Sequence, residues 1–264
     1  MLSWCFDFMA KPLVSTDIDV TREFPALGHA PVVEAVVEWR AEPSVTMKSA
    51  ELRPILEQLF PGCAIQPLRH VHATFAEGES GVQVAEATEQ MGFRIVSEDG
   101  RIVGQIRSNC VAVSRLEPYA GWDEFLPRAK PFVQVFLEHF KPTHFSRLGV
   151  RSISRITVPT GEAVRDVTKG TATPWKDFGL ESTSFFHQDT VRWPGTAYGV
   201  RLVRAMDPGE PGEVGILLLD IDISLEEAVE LVDADRRIAE MRFLKNRVFF
   251  STVRNPKHRF GARR

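Results

Sequence analysis

The segment APVVEAVVEWR, residues 30 to 40, alternates with a period of two. Val33, Ala35, Val37 and Trp39 fall on one face of an extended strand, and Val32, Glu34, Val36, Glu38 and Arg40 on the other. Two carboxylates on a face that also carries Val32 and Val36 either do chemistry or meet arginines from another strand. Next, TMKSAELRPILEQLFPG sets Leu52, Ile55, Leu56 and Leu59 at helical spacing between a capping Ser or Thr and a Pro-Gly stop. This predicts a short amphipathic helix with Pro54 in its first turn. AIQPLRHVHATFAE, VAEATEQMGFRIVSED, GRIVGQIRSN and CVAVSRLEP follow, punctuated by EGESG and the turn EDGR, and read as an antiparallel meander. In GWDEFLPRAKPFVQVFLEHF, the residues Trp122, Phe125, Leu126, Ala129, Phe132, Val133, Phe136 and Phe140 make one apolar stripe. A long helix lying on the sheet is expected, with Pro127 and Pro131 as the points where it would bend.

From residue 144 the order begins again. HFSRLGVRSISRITVP is a long alternating strand, and STSFFHQDTVRW, TAYGVRLVRAMD and VGILLLDIDIS form a second meander. Residues 159 to 180, rich in Gly and Thr, read as a loop. A last helix is expected to start at SLEE, where Ser224 and Glu227 match a capping box, and to run through Val229, Val232, Ile238, Met241 and Leu244. The whole is an α+β chain of pseudo-duplicated antiparallel meanders, two sheets side by side with long helices packed on one face. Its expected divisions are an N-terminal extension at 1–28, a first α+β half at 29–143 and a second at 144–264, packed as one body.

A length of 264 residues admits one domain or two intimately packed halves. With 25% charged residues and a net charge of -3, the chain has no general attraction for nucleic acid or anionic membranes, so any polyanion site must be local. Cys5, Cys63 and Cys110 are far apart and form no CxxC pair, which argues against a disulfide framework or a cysteine zinc site and favours a reducing cytoplasm. The opening MLSWCFDFMAKPLVSTDID lacks a basic stretch before an apolar core, and no run approaches the ~20 apolar residues of a membrane span. Export and membrane insertion are therefore not expected.

Charge patterning supplies the candidate chemistry. Arg147, Arg151 and Arg155 share one strand face at the spacing that separates Glu34 from Glu38. If the leading strands of the halves are neighbours, Glu34 and Glu38 can face Arg147 and Arg151 as cross-strand ion pairs that fix register. The alternative is a functional groove in which the arginines hold an anion and the glutamates orient them. His70 and His72, two apart on a strand, are the candidate metal ligands, with His144, His187 or an acid to complete the set. Asp220 and Asp222 share a strand face and suit either magnesium or a turn into the following helix. Arg192, Arg201 and Arg204, interleaved with Phe185, Phe186, Trp193 and Tyr198, could clamp and stack nucleic acid, although the surrounding carboxylates favour a solvated face. The basic tail FFSTVRNPKHRFGARR is expected to be solvated or docked on an acidic surface. The motifs GxSxG, HExxH, GxGxxG and GxxxxGK[ST] are absent.

APVVEAVVEWR, FSRLGVRSISRITVP, GILLLDIDIS and the closing FFSTVRNPKHRFG resemble the landmarks of a sporadically distributed bacterial and archaeal family with no assigned function. That family opens on a Pro-Pro-hydrophobic-Glu-Ala strand, has a central Arg-hydrophobic-Gly-hydrophobic-Arg strand and ends near a Phe-Gly. The likeness spans nearly everything beyond residue 25, with Ala30 in place of the first proline. It implies that Glu34, Glu38, Arg147, Gly149 and Arg151 belong to the family pattern, and it supplies no catalytic residues.

The function expected from the sequence is an accessory or interaction protein that engages a protein partner, or secondarily nucleic acid, through a sheet face or inter-half groove. The alternative is an enzyme or small-ligand binder, with Arg147, Arg151 and Arg201 anchoring an anionic substrate and Glu34 or Asp222 acting as base or magnesium ligand. No organic cofactor is expected, and a divalent metal is the one inorganic candidate. Self-association through an exposed sheet edge is a third route.

Overall fold

The computed structural model describes residues 18–78, 81–159, 162–170, 184–207 and 214–262, apart from the side chains of residues 70–78, 81–89 and Asp207. A single nine-stranded antiparallel sheet forms the body. In chain order its strands are β1 (Val32–Arg40), β2 (Ala64–Gly78), β3 (Gly81–Val96), β4 (Ile102–Arg107), β5 (Cys110–Leu116), β7 (Arg147–Val158), β8 (Phe185–Arg192), β9 (Tyr198–Asp207) and β10 (Gly215–Leu225). They lie side by side as β2-β3-β4-β5-β1-β7-β10-β9-β8. The two meanders are thus one continuous sheet rather than two, joined where the leading strands β1 and β7 pair, with Val37 opposite Val150 and Glu38 opposite Gly149. Two-residue β6 (His144–Phe145) and β11 (Val229–Glu230) pair separately.

Period-two alternation sends one set of side chains to the core. Val37, Trp39, Val113, Leu148, Val150, Leu219 and Ile221 are fully or almost fully buried on one sheet face. Over that face lie α1 (Ser49–Leu59) against β2 and β3, α2 (Trp122–Phe140) against β4, β5 and β1, and α4 (Ala234–Thr252) against β7 and β10. Each large apolar side chain taken fully out of water contributes about 1.5–3 kcal/mol, so this face supplies most of the driving force. The packing is close: at Gly104 of β4 an added Cβ would come within 2.0 Å of the Phe132 ring. Short helices α3 (Val164–Val167) and α5 (Pro256–Phe260) close the second half. Of the expected extension, residues 18–28 are docked: Phe24 stacks on Phe250 and Leu27 bridges to Ala262.

Two local expectations need correction, the place of Pro54 and the start of the last helix. Pro54 is the sixth residue of α1, beyond the first turn, and α1 is capped by Lys48, whose backbone N–H donates to the Glu51 carboxylate at 3.2 Å. The loss is confined to one bond, because the missing N–H would have reached Ala50 near the helix start. Helix α2 runs unbroken across Pro127 and Pro131. The last helix does not start at SLEE: the alternation of ILLLDIDISL carries β10 to Leu225, and Val229 and Glu230 pair with β6. A 3-10 turn at Leu231–Asp233 follows, leaving Val232 91% exposed, and α4 begins at Ala234.

Candidate functional site on the open sheet face

The face away from α1, α2 and α4 carries the polar half of the alternation. Across its centre, register places Val36, Arg151, Asp222, Arg201 and Thr190 in one row and Glu38, Gly149, Ser224, Gly199 and Arg192 in the next. The glycines remove two side chains from the second row, and the rows border a groove of about 520 Å³ spanning both halves. Gly149 has a defined job. The Arg147 guanidinium folds over it, so an added Cβ would stand 2.9 Å from a guanidinium nitrogen.

From there Arg147 pairs with Glu38 and reaches Glu226 at 3.5 Å and Asp222 at 3.8 Å. Arg40 pairs with Glu38 at 2.7 Å. Arg151 holds Asp220 through two parallel bonds of 2.8 and 2.7 Å, the bidentate geometry that a planar guanidinium favours. Arg201 reaches Asp222 at 3.3 Å. Four arginines thus meet Glu38, Asp220, Asp222 and Glu226, and the groove is charge-balanced. Burial pushes the Asp222 carboxyl above its ordinary pKa even though Arg147, Arg201 and Arg151 pull the other way. The bond to Asp220 pushes the Arg151 guanidinium further up.

The structure therefore brings together four of the six binding candidates read from sequence. Glu38, Arg147, Arg151 and Arg201 line the groove. Glu34 lies on the same face but accepts a hydrogen bond from the Ser114 hydroxyl at 2.7 Å, because register sets Val36, and not Glu34, opposite Arg151. Of the two foreseen Glu–Arg pairs, Glu38 with Arg147 forms; the partner of Arg151 is Asp220. Arg155 shares the face but is exposed and about 13 Å further along β7, outside the groove. Arg204 is separate from Arg192 and Arg201. It lies buried on the opposite face, bound to Asp189 and to the backbone carbonyls of Lys169 and Gly170. The interleaved aromatics separate too: Tyr198 is buried with its hydroxyl on Glu240, while Phe186 is exposed.

Asp220 and Asp222 sit within β10 as arginine partners, not at a turn into a helix, and Ser224, expected to cap that helix, lies between Gly149 and Gly199. Glu226, Gly199 and Thr190 carried no sequence signal. The His70 and His72 side chains lie outside the described residues. Both positions are on β2, while His187 is on β8 at the opposite sheet edge, eight strand spacings or roughly 38 Å away, so it does not complete their set. Among the described residues no cluster of three or more His, Cys, Asp or Glu side chains is arranged to hold a metal ion. No described helix is long and apolar enough to cross a membrane. In the tail, Arg259 docks on Glu162 at 2.6 Å.

No protein-family model, curated protein or solved structure matches the chain.

Proposed function

We propose that the chain is an accessory protein whose open sheet face docks a protein partner, with the groove between the halves as the centre of contact. The observation that carries this reading is the charge balance of the groove. Each of Arg40, Arg147, Arg151 and Arg201 has a carboxylate partner, so a polyanion would meet Glu38, Asp222 and Glu226 along with them. A polypeptide surface, which offers donors and acceptors of both signs, matches such a lining better than nucleic acid does. Two further elements belong to the proposal. One is a pseudo-twofold relation of the halves about the β1–β7 pair. The other is kinship with the sporadically distributed family, four of whose five landmark residues, Glu38, Arg147, Gly149 and Arg151, line this groove, while Glu34 lies outside it.

Native mass spectrometry of the protein purified from its own cells tests the reading. A co-purifying protein lost in the Arg201→Glu variant supports it; nucleic acid bound through the same face overturns it. A second reading, a small anionic ligand between Arg151 and Arg201, is favoured by a volume in the range of small-molecule pockets. A thermal-shift screen with nucleotides and organic acids separates the two, because a ligand at 100 times its Kd stabilises by about 2.7 kcal/mol.

A further inference from the structure

The sheet has two edges, and they are built differently. At one edge β2 carries Pro67, which has no N–H to offer, and a register shift between Leu68 and Arg69. Proline, bulges and charge are the devices that keep an edge strand from pairing with another chain. At the other edge β8, FFHQDTVR, has no Pro and no bulge, and its charged residues are Asp189 and Arg192, the first already paired with Arg204. It keeps unbroken register with β9 from Phe185 opposite Met206 to Arg192 opposite Gly199. Among the described residues its outer edge has no strand partner. The strand also exposes two large apolar side chains, Phe186 at 67% and Val191 at 56%.

We infer that β8 pairs antiparallel with β8 of a second copy of this chain, joining two nine-stranded sheets through a twofold axis normal to the sheet at Gln188. The strand's own sequence selects that register. In an antiparallel pair, directly opposed residues point to the same face. Centring on Gln188 sets Phe185 opposite Val191 of the second copy, His187 opposite its Asp189, and Phe186 opposite its Thr190, each contact occurring twice. The apolar side chains gain cover, and a basic ring meets a carboxylate. Centring one residue later would put Asp189 against Asp189 and Phe186 against Arg192. Centring one residue earlier would put His187 against His187 and Phe185 against Asp189. Only the Gln188 register of these three is self-complementary. A twofold axis normal to the sheet keeps the helices of both copies on one side, so the two open faces merge and both grooves look the same way. This inference stands independently of what the groove binds.

Sedimentation equilibrium on the full chain, with a disulfide ruler, tests it. Wild type is expected to weigh twice its 29.7 kDa chain mass. Val191→Lys, at an exposed position, and His187→Glu, at a half-buried one, are expected to raise the dimer Kd by more than about tenfold while leaving the circular dichroism spectrum unchanged. Under mild oxidation Gln188→Cys is expected to give a disulfide-linked dimer, since opposed Cα atoms about 5 Å apart suit a disulfide. Thr190→Cys, which is not opposite itself, is not. A wild-type chain that stays monomeric, a dimer that survives Val191→Lys, or equal crosslinking from both cysteines overturns the inference. An extended peptide of another protein binding at β8 in place of the second copy would also overturn it.

Discussion

Lys245 is the most exposed-looking residue type in one of the least exposed places. It sits on α4 with 7% of its surface accessible, its ammonium 6.0 Å from the Trp122 ring, with the Arg242 guanidinium 5.9 Å from the same ring. Burial, assisted by the like charge of Arg242, pushes its pKa from the ordinary 10.5 down to about 8. A base whose folded pKa lies below its unfolded value binds fewer protons when folded. The charge penalty is therefore present in full below about pH 8 and is relieved as pH rises from about 8 to 10.5. At 1.36 kcal/mol per unit the penalty near neutrality is about 3 kcal/mol, offset in part by a cation–π attraction of about 1–2 kcal/mol.

Lys245→Met, which keeps the length and apolar stem while removing the charge, is accordingly expected to stabilise the protein by about 1–3 kcal/mol at pH 7. The gain should shrink as pH rises through the same window. Urea denaturation followed by circular dichroism, wild type against variant at several pH values, reads this directly, because other titrations cancel in the difference. A variant less stable than wild type at neutral pH, or a difference that does not change with pH, would refute the reasoning.

Three further outcomes follow from the groove and the core. Arg151→Met leaves the buried Asp220 carboxylate without its partner and is expected to cost about 2–3 kcal/mol, toward the lower end because Arg151 is itself 37% exposed, while the Arg151→Met/Asp220→Leu double variant recovers most of that loss in urea melts. Asp222 has a folded pKa raised by burial, so its ionisation weakens the fold as pH climbs just above the ordinary carboxylate value of 3.8. The stability of Asp222→Asn relative to wild type should therefore increase with pH across that window in the same assay. Gly104→Ala forces the Phe132 ring away from β4 and is expected to cost about 1–3 kcal/mol by overpacking, read as a lower Tm.

The strands were legible because period-two alternation is a local property. APVVEAVVEWR sorts Val37 and Trp39 from Glu38 without knowledge of any neighbour. The four-residue spacing common to Glu34 and Glu38 and to Arg147 and Arg151 also anticipated that the leading strands meet, and Glu38 does pair with Arg147. What could not be read was register. Whether Arg151 faces Glu34 or Asp220 depends on how β7 is set between β1 and β10, a register shared with residues such as Val150 and Ile221 that are buried on the opposite face of the sheet. The start of α4 failed for a related reason. Ser224 and Glu227 match a capping box locally, but pairing of Ser224 with Gly149 and Gly199 on both sides keeps it in a strand. Gly149 was visible as part of an Arg-hydrophobic-Gly-hydrophobic-Arg pattern, yet its role, making room for the Arg147 side chain, belongs to three dimensions alone.

Site-specific photo-crosslinking in the native cell tests the docking claim most directly, with a benzophenone amino acid at Arg40 or Glu226 on the open face and at Glu138 on the exposed side of α2. Crosslinks from Arg40 and Glu226 to one and the same partner protein, with none from Glu138, are expected. Crosslinks from Glu138 to that partner with none from the open face would contradict the assignment of the groove as the docking site.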